Sequence, residues 1–167
     1  GDGGVAELEG PRTAAIAEDA SYAWVYVQEY DRIVTLSLEE ALDFDYATQG
    51  YGIQQLLYAR AHNRLVGLSQ TEVVSWEIID GYPENPMTHS FGGQGSALFY
   101  DGTQEDWILM NEATLSIYLH RDSGSLEFVD SLQHPDIAEA RSIEIAPTGD
   151  IYIAGFSSNS IHHFFWD

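Results

Sequence analysis

The chain has 167 residues and a mass of 18.6 kDa, room for one domain with a real core and too little for two ordinary ones. It carries 27 acidic residues against six basic ones, all arginine, and its formal net charge is −21, which excludes nucleic acid as a partner and argues against adsorption to anionic membranes. A hydrophobic content of 44% excludes a disordered acidic tail, and the absence of cysteine removes disulfides, thiolate metal sites and thiol catalysis together.

The apolar runs are short and recur. The first unit reads as Ala14 to Ala17, a polar turn Glu18-Asp19-Ala20-Ser21, then Trp24 to Val27, Ile33 to Leu38 and Leu42 to Ala47. The second reads as Leu56 to Ala59, the turn Arg60-Ala61-His62-Asn63, then Leu65 to Leu68, Val73 to Ile79 and Met87 to Phe91. The third reads as Ala97 to Tyr100, the turn Asp101-Gly102-Thr103, then Trp107 to Met110, Leu115 to Leu119 and Leu126 to Leu132. The fourth reads as Ile143 to Ala146, the turn Pro147-Thr148-Gly149-Asp150, then Ile151 to Ala154 and Ile161 to Trp166. The second runs start 41, 42 and 44 residues apart. β-Branched and aromatic runs separated by Gly, Pro, Asn, Asp and Ser are strand chemistry. Four strands per unit of about 42 residues predicts β-propeller blades, with a sandwich of unrelated strands as the competitor. The stretch 39–58 has some helical character, but Gly50-Tyr51-Gly52 interrupts it and the repeat predicts strands on both sides. The expected fold is therefore all-β, one propeller domain or part of one. Its four-stranded antiparallel blades fall near 12–50, 53–93, 96–134 and 141–167, the last without an outer strand.

The run Arg141-Ser142-Ile143-Glu144-Ile145-Ala146-Pro147-Thr148-Gly149-Asp150-Ile151-Tyr152-Ile153-Ala154-Gly155 resembles the recurring element of lactonase-like propellers, the 6-phosphogluconolactonase or YVTN-type repeat family. Arg121 to Val129 is similar to that family's link from third to fourth strand, and Gly3 to Arg12 to its glycine-rich link between blades. The resemblance covers about three of the four units, with blade two, around Gly81-Tyr82-Pro83-Glu84-Asn85-Pro86, the most diverged. It implies the fold, and a lactone hydrolase as one activity among the many such propellers host. Three arrangements stay open: a small ring closed by Val5 to Leu8, a half ring that self-associates with a second copy, or a piece of a longer propeller.

The repeat places Arg12, Gln54, Gly95 and Arg141 in equivalent positions where the links between blades gather, and with Tyr51 they are the candidate ligand-binding residues. Two arginines at matching positions in so acidic a chain can grip a carboxylate or phosphate bidentately; the alternative is that each ties down its inter-blade link. His134, with Glu139 and Arg141 close by, is the nearest approach to an acid–base and carbonyl-binding set for lactone hydrolysis. His162 and His163 are adjacent on a strand, point to opposite faces and cannot share one metal. No zinc-type spacing occurs and no cofactor is expected. Glu29, Asp31, Glu72, Glu112 and Asn159 in second-to-third loops offer calcium a weak alternative. Trp24, Trp76, Trp107 and Trp166 read as packing residues, and Tyr22, Tyr30, Tyr51 and Tyr82 as turn residues able to present an aromatic surface to a sugar or a protein. The start, Gly1-Asp2-Gly3-Gly4, shows no signal peptide, and no apolar run reaches the length of a membrane span. A lysine-free acidic composition resembles that of halophilic or marine proteins, and an extracellular or periplasmic setting is expected. Three functional readings remain. They are a secreted or cell-surface binding module of unidentified small-molecule or protein ligand, a lactonase-type hydrolase acting on a sugar lactone, and a calcium-stabilised adhesion segment.

Overall fold

Runs that are apolar at every position cannot present a polar face, so the strands they form are covered on both sides. In a computed structural model, which describes residues 10–38, 43–101, 106–111, 114–120, 125–137, 140–146, 148–155 and 159–165, these runs become fifteen strands. The first sheet comprises β1 (Pro11–Ile16), β2 (Tyr22–Val27), β3 (Arg32–Ser37) and β4 (Asp43–Gln49), paired in chain order. The second comprises β5 (Gln55–Ala59), β6 (Arg64–Leu68), β7 (Glu72–Ile79) and β8 (Tyr82–Ser90). The third comprises β9 (Gly95–Asp101), β10 (Asp106–Asn111), β11 (Thr114–His120) and β12 (Leu126–Gln133). The fourth comprises β13 (Ala140–Ile145), β14 (Ile151–Gly155) and β15 (Ser160–Phe164). Such antiparallel meanders are the blades of a β-propeller, as the repeat predicted. The helical elements among the described residues are single 3₁₀ turns at Gln28–Tyr30, Arg60–His62 and Pro135–Ile137, and none is long and apolar enough to cross a membrane.

Contacts divide the chain into Gly1–His89 and Ser90–Asp167. In the first unit β1 and β5, the leading strands of two blades, lie side by side, and the Leu56 amide donates to the Thr13 hydroxyl across them at 3.0 Å. Their shared core holds Ala15, Trp24, Tyr26 and Ile33 from one blade and Ile53, Leu56, Leu65, Val74, Trp76 and Ile78 from the other. The alternate residues of β2 and β3, Ala23, Val27, Val34 and Leu36, are buried on the opposite face. In the second unit β9 lies against β13, and Ala97, Ile108, Met110 and Leu115 pack with Ile137, Ile143, Ile151 and Ile153. Outward along each blade the apolar pattern fades: β8 and β12 are exposed over most of their length.

Two expectations need correction. Tyr82 does not lie in a turn. The turn is Asp80-Gly81, whose residues both have positive φ (51° and 88°), and β8 begins directly after it. This is the φ pattern of a type I′ hairpin turn, for which Asp-Gly is a preferred pair. Residues 43–49 and 55–59 are strands, as the repeat predicted against the helical character of this stretch. Tyr22 is also in a strand, half-buried with its ring centroid 6.4 Å from that of Tyr82, so neither is a turn residue.

Candidate functional site

Each predicted ligand residue of the first unit makes a contact that braces it, Gln54 through its backbone. Arg12 is exposed and donates from Nη1 to Gln28 Oε1 at 3.2 Å. Tyr51 sits at positive φ (59°) and packs its ring edge-on to Trp76, centroids 5.9 Å apart. Gln54 precedes β5 and its backbone amide donates to the Leu68 carbonyl at 2.7 Å. No hydrogen bond or ring contact joins these three to one another among the described residues. Near Arg12, Asp31 Oδ1 accepts from the Tyr26 hydroxyl at 3.0 Å and from the Gly52 amide at 2.7 Å. Burial, then this hydrogen bond and the Asp31 charge, push the Tyr26 hydroxyl up to about 12.

The equivalence of the two arginines has a structural form. In β1 the register shifts between Pro11 and Thr13, and in β13 between Ala140 and Ser142, so Arg12 and Arg141 are each the extra residue of a β-bulge. In β9 the shift falls between Gly95 and Ala97, which makes Ser96 the third member and displaces Gly95 by one residue. Bulges re-aim a side chain and are over-represented beside functional sites.

His134 is half-buried at the head of the Pro135–Ile137 turn, its ring edge-on to Phe164 with centroids 5.4 Å apart. Buried Ile137 anchors that turn, and its amide donates to the His134 carbonyl at 3.1 Å. Glu139 lies outside the described residues, and Arg141 is described by its backbone. His162 and His163 do face apart. His162 Nε2 lies 2.9 Å from the Ser160 hydroxyl, while His163 Nε2 lies 3.2 Å from Asp150 Oδ1 and its ring stacks on Tyr152. Among the described residues no three His, Asp or Glu side chains are grouped to hold a metal ion.

A cleft of about 270 Å³ opens at the end of the first unit where the β1–β2, β5–β6 and β7–β8 turns come together. Its aromatic walls are Tyr22, Trp24 and Tyr58; Trp24 and Tyr58 pack ring to ring with centroids 5.1 Å apart. The buried Trp24 indole donates to the Gly81 carbonyl at 2.9 Å, a bond that joins the two blades. Only glycine suits position 81, because of its φ and because a Cβ there would run into the Tyr22 ring. Asn63, at positive φ, accepts from the Tyr58 hydroxyl at 2.9 Å and donates to the Ile78 carbonyl at 3.0 Å. Glu18, Asp19 and Asp80 complete the lining. Glu18 is ion-paired with Arg60. Asp19 Oδ1 accepts from the Ser21 hydroxyl at 2.6 Å and amide at 2.9 Å, which hold its carboxyl below the usual range. The Tyr58 hydroxyl is pushed up by burial and then by the charges of Asp19 and Glu18, so both carboxylates act on this space. The sequence reading missed the cleft, because its acidic residues look like ordinary solvated turns and its aromatics come from separate blades.

No family profile matches the chain, and no curated protein matches it in sequence. Its fold does match solved structures. Over 94% of its length it aligns with 50% of a Bacteroides uniformis protein proposed to be a 6-phosphogluconolactonase, with a TM-score of 0.80 and 15% identity. Over 94% it aligns with 50% of the periplasmic gluconolactonase of Pseudomonas aeruginosa, with a TM-score of 0.76 and 18% identity. Over 93% it aligns with 49% of a chain from the mitotic checkpoint complex, with a TM-score of 0.74 and 14% identity. The chain spans about half the length of each. The likeness shows a lactonase-like β-propeller fold, which these neighbours put to unlike uses.

Proposed function

We propose that the chain is a ligand-binding β-propeller module and that the cleft between blades one and two is a binding site. The observation that carries this is a concave space walled by three aromatic rings and edged by three carboxylates, held across the blades by the Trp24–Gly81 hydrogen bond and the Glu18–Arg60 ion pair and within blade two by the Tyr58–Asn63 bond. Aromatic walls with a few placed polar groups are the usual make-up of small-molecule sites. A panel of sugars, sugar lactones, amino acids and amines tests it by melting temperature, since a ligand that binds the folded state alone raises it. The reading requires at least one compound to raise the midpoint of the wild type and to lose that effect in Tyr58→Leu. A panel without effect, or an effect that survives the substitution, overturns it.

A second reading is a lactonase-type hydrolase acting on a sugar lactone, supported by the fold shared with the gluconolactonase and the proposed 6-phosphogluconolactonase. Water would add to the lactone carbonyl, with His134 taking its proton, Arg141 polarising the carbonyl and Glu139 orienting the histidine; the ring C–O bond then breaks and His134 returns the proton to the ring oxygen, which leaves as the new hydroxyl. Turnover of gluconolactone that survives replacement of all three residues would sink this assignment. In the binding reading, Arg12, Gln54 and Tyr51 would frame a further contact surface at the linker end of the first unit's blades.

An extracellular or periplasmic setting fits the acidic composition, and one neighbour is periplasmic. The exposed face of β12, with Phe128 and Val129 about half exposed, supports self-association. Light scattering at low and high salt checks it: a mass of twice 18.6 kDa, favoured by salt, is expected, and a salt-independent monomer refutes it.

A further inference from the structure

We infer that the cleft between blades one and two selects a small organic cation, an ammonium or guanidinium head group. The inference rests on the binding-module reading and names the ligand class for that site.

The argument is one of complementarity. The side-chain donors that line the cleft are mostly engaged already: Trp24 by the Gly81 carbonyl, Tyr58 by Asn63, Asn63 by the Ile78 carbonyl and Ser21 by Asp19. The Tyr22 hydroxyl is the exception. What the lining offers is therefore carboxylate oxygen and aromatic surface, with few donors. A sugar needs donors as well as acceptors, because each hydroxyl oxygen loses water on entry. An anion is repelled by Asp19 and Asp80. A cation satisfies both features, since its N–H groups or polarised methyls meet carboxylates and the negative faces of aromatic rings.

The charge balance points the same way. Arg60 neutralises Glu18, but Asp19 and Asp80 have no basic partner among the described residues. The cleft thus carries two uncompensated negative charges beside a Tyr58 ring that packs at a tilt against buried Trp24 and is braced by Asn63. That ring is held in place before any ligand arrives, which lowers the ordering cost of binding. A volume near 270 Å³ suits a head group and not an extended chain.

The test is saturation-transfer NMR with tetramethylammonium and n-butylammonium as probes, and glucose and acetate as comparators, on the full chain. A chain of charge −21 attracts any cation loosely, so the decisive variant leaves charge alone. Tyr58→Leu should weaken tetramethylammonium binding about threefold to tenfold, whereas Tyr58→Phe, which keeps the ring, should stay within about twofold. Asp19→Asn should weaken it about threefold or more, and added sodium chloride should weaken it in the wild type. Urea midpoints confirm that each variant folds. Equal binding to wild type and to folded Tyr58→Leu overturns the inference. Glucose binding at the cleft without cation binding overturns it while leaving the module reading intact. Silence from all four probes removes the cation assignment, and the wider panel then decides the module reading.

Discussion

Two buried tryptophans in the same core give the most direct test of how the first unit is held together. Trp24 and Trp76 are 1% and 0% exposed. They differ in one respect: Trp24 Nε1 donates to the Gly81 carbonyl at 2.9 Å, whereas Trp76 Nε1 has no hydrogen-bond partner among the described residues. Replacing either by phenylalanine removes the same atoms and leaves a similar void, a cost on the order of 1–3 kcal/mol. At position 24 the substitution also strips the Gly81 carbonyl of its donor, adding about 1–3 kcal/mol. At position 76 it deletes an unpaired buried N–H, relieving a penalty of about the same size. Even with both polar contributions at their low end, near 1 kcal/mol each, Trp24→Phe should be less stable than Trp76→Phe by about 2 kcal/mol. Urea unfolding followed by far-ultraviolet circular dichroism reads this directly, provided the two m-values agree. In melting temperature the gap is roughly 4–8 °C for a chain of this size. Equal midpoints would refute the claim that the indole bond, and not ring packing alone, ties β2 to the β7–β8 turn.

Gly81→Ala should lower stability by about 2 kcal/mol or more, since it combines a left-handed φ with a collision against the Tyr22 ring, and a melting temperature within a degree or so of wild type would count against it. Gly67→Ala places a methyl 2.5 Å from Ile53 Cδ1 and 3.2 Å from the Trp76 ring, an overpacking cost of about 1–3 kcal/mol. Adding Ile53→Val removes the nearest atom, so the double variant should be more stable than the sum of the single effects predicts, and strict additivity would exclude the clash. Tyr26 bears on alkaline stability. Its folded pKa near 12 exceeds the unfolded value near 10, so its contribution is complete below pH 10 and lost as pH rises toward 12. Tyr26→Phe should therefore flatten the fall of urea midpoint across that window, and an unchanged slope would show that the hydroxyl ionises freely in the folded state.

The blade pattern was legible because it is written four times. One ambiguous run, such as 39–58, is decided by the equivalent runs elsewhere, and burial of inner strands on both faces makes those runs continuously apolar. What repetition cannot carry is a local exception. Tyr82 reads as a turn residue because Gly, Pro and Asn cluster around it, yet Asp80-Gly81 makes the whole turn. Prolines 83 and 86 are then tolerated because β8 is the outermost strand, where a missing amide donor breaks no inner ladder. The bulges illustrate the same limit. Arg12 and Arg141 matched by alignment, but Gln54 precedes a regular pairing, and the third blade's extra residue is Ser96, one place on from Gly95. A one-residue slip of this kind changes which face a side chain takes.

The cleft lies furthest from what repetition reveals, and for a physical reason. Its residues are those at which blades one and two depart from each other: Glu18 and Asp19 fill the β1–β2 turn, while Arg60 and Asn63 fill the equivalent β5–β6 turn. If both turns were alike, the two ends would carry like charges and the Glu18–Arg60 pair would not form. The fold needs the blades to be similar enough to pack β1 against β5. The cleft needs them to differ in the turns beyond, where charge and hydrogen bonding, not strand periodicity, decide what the space can hold.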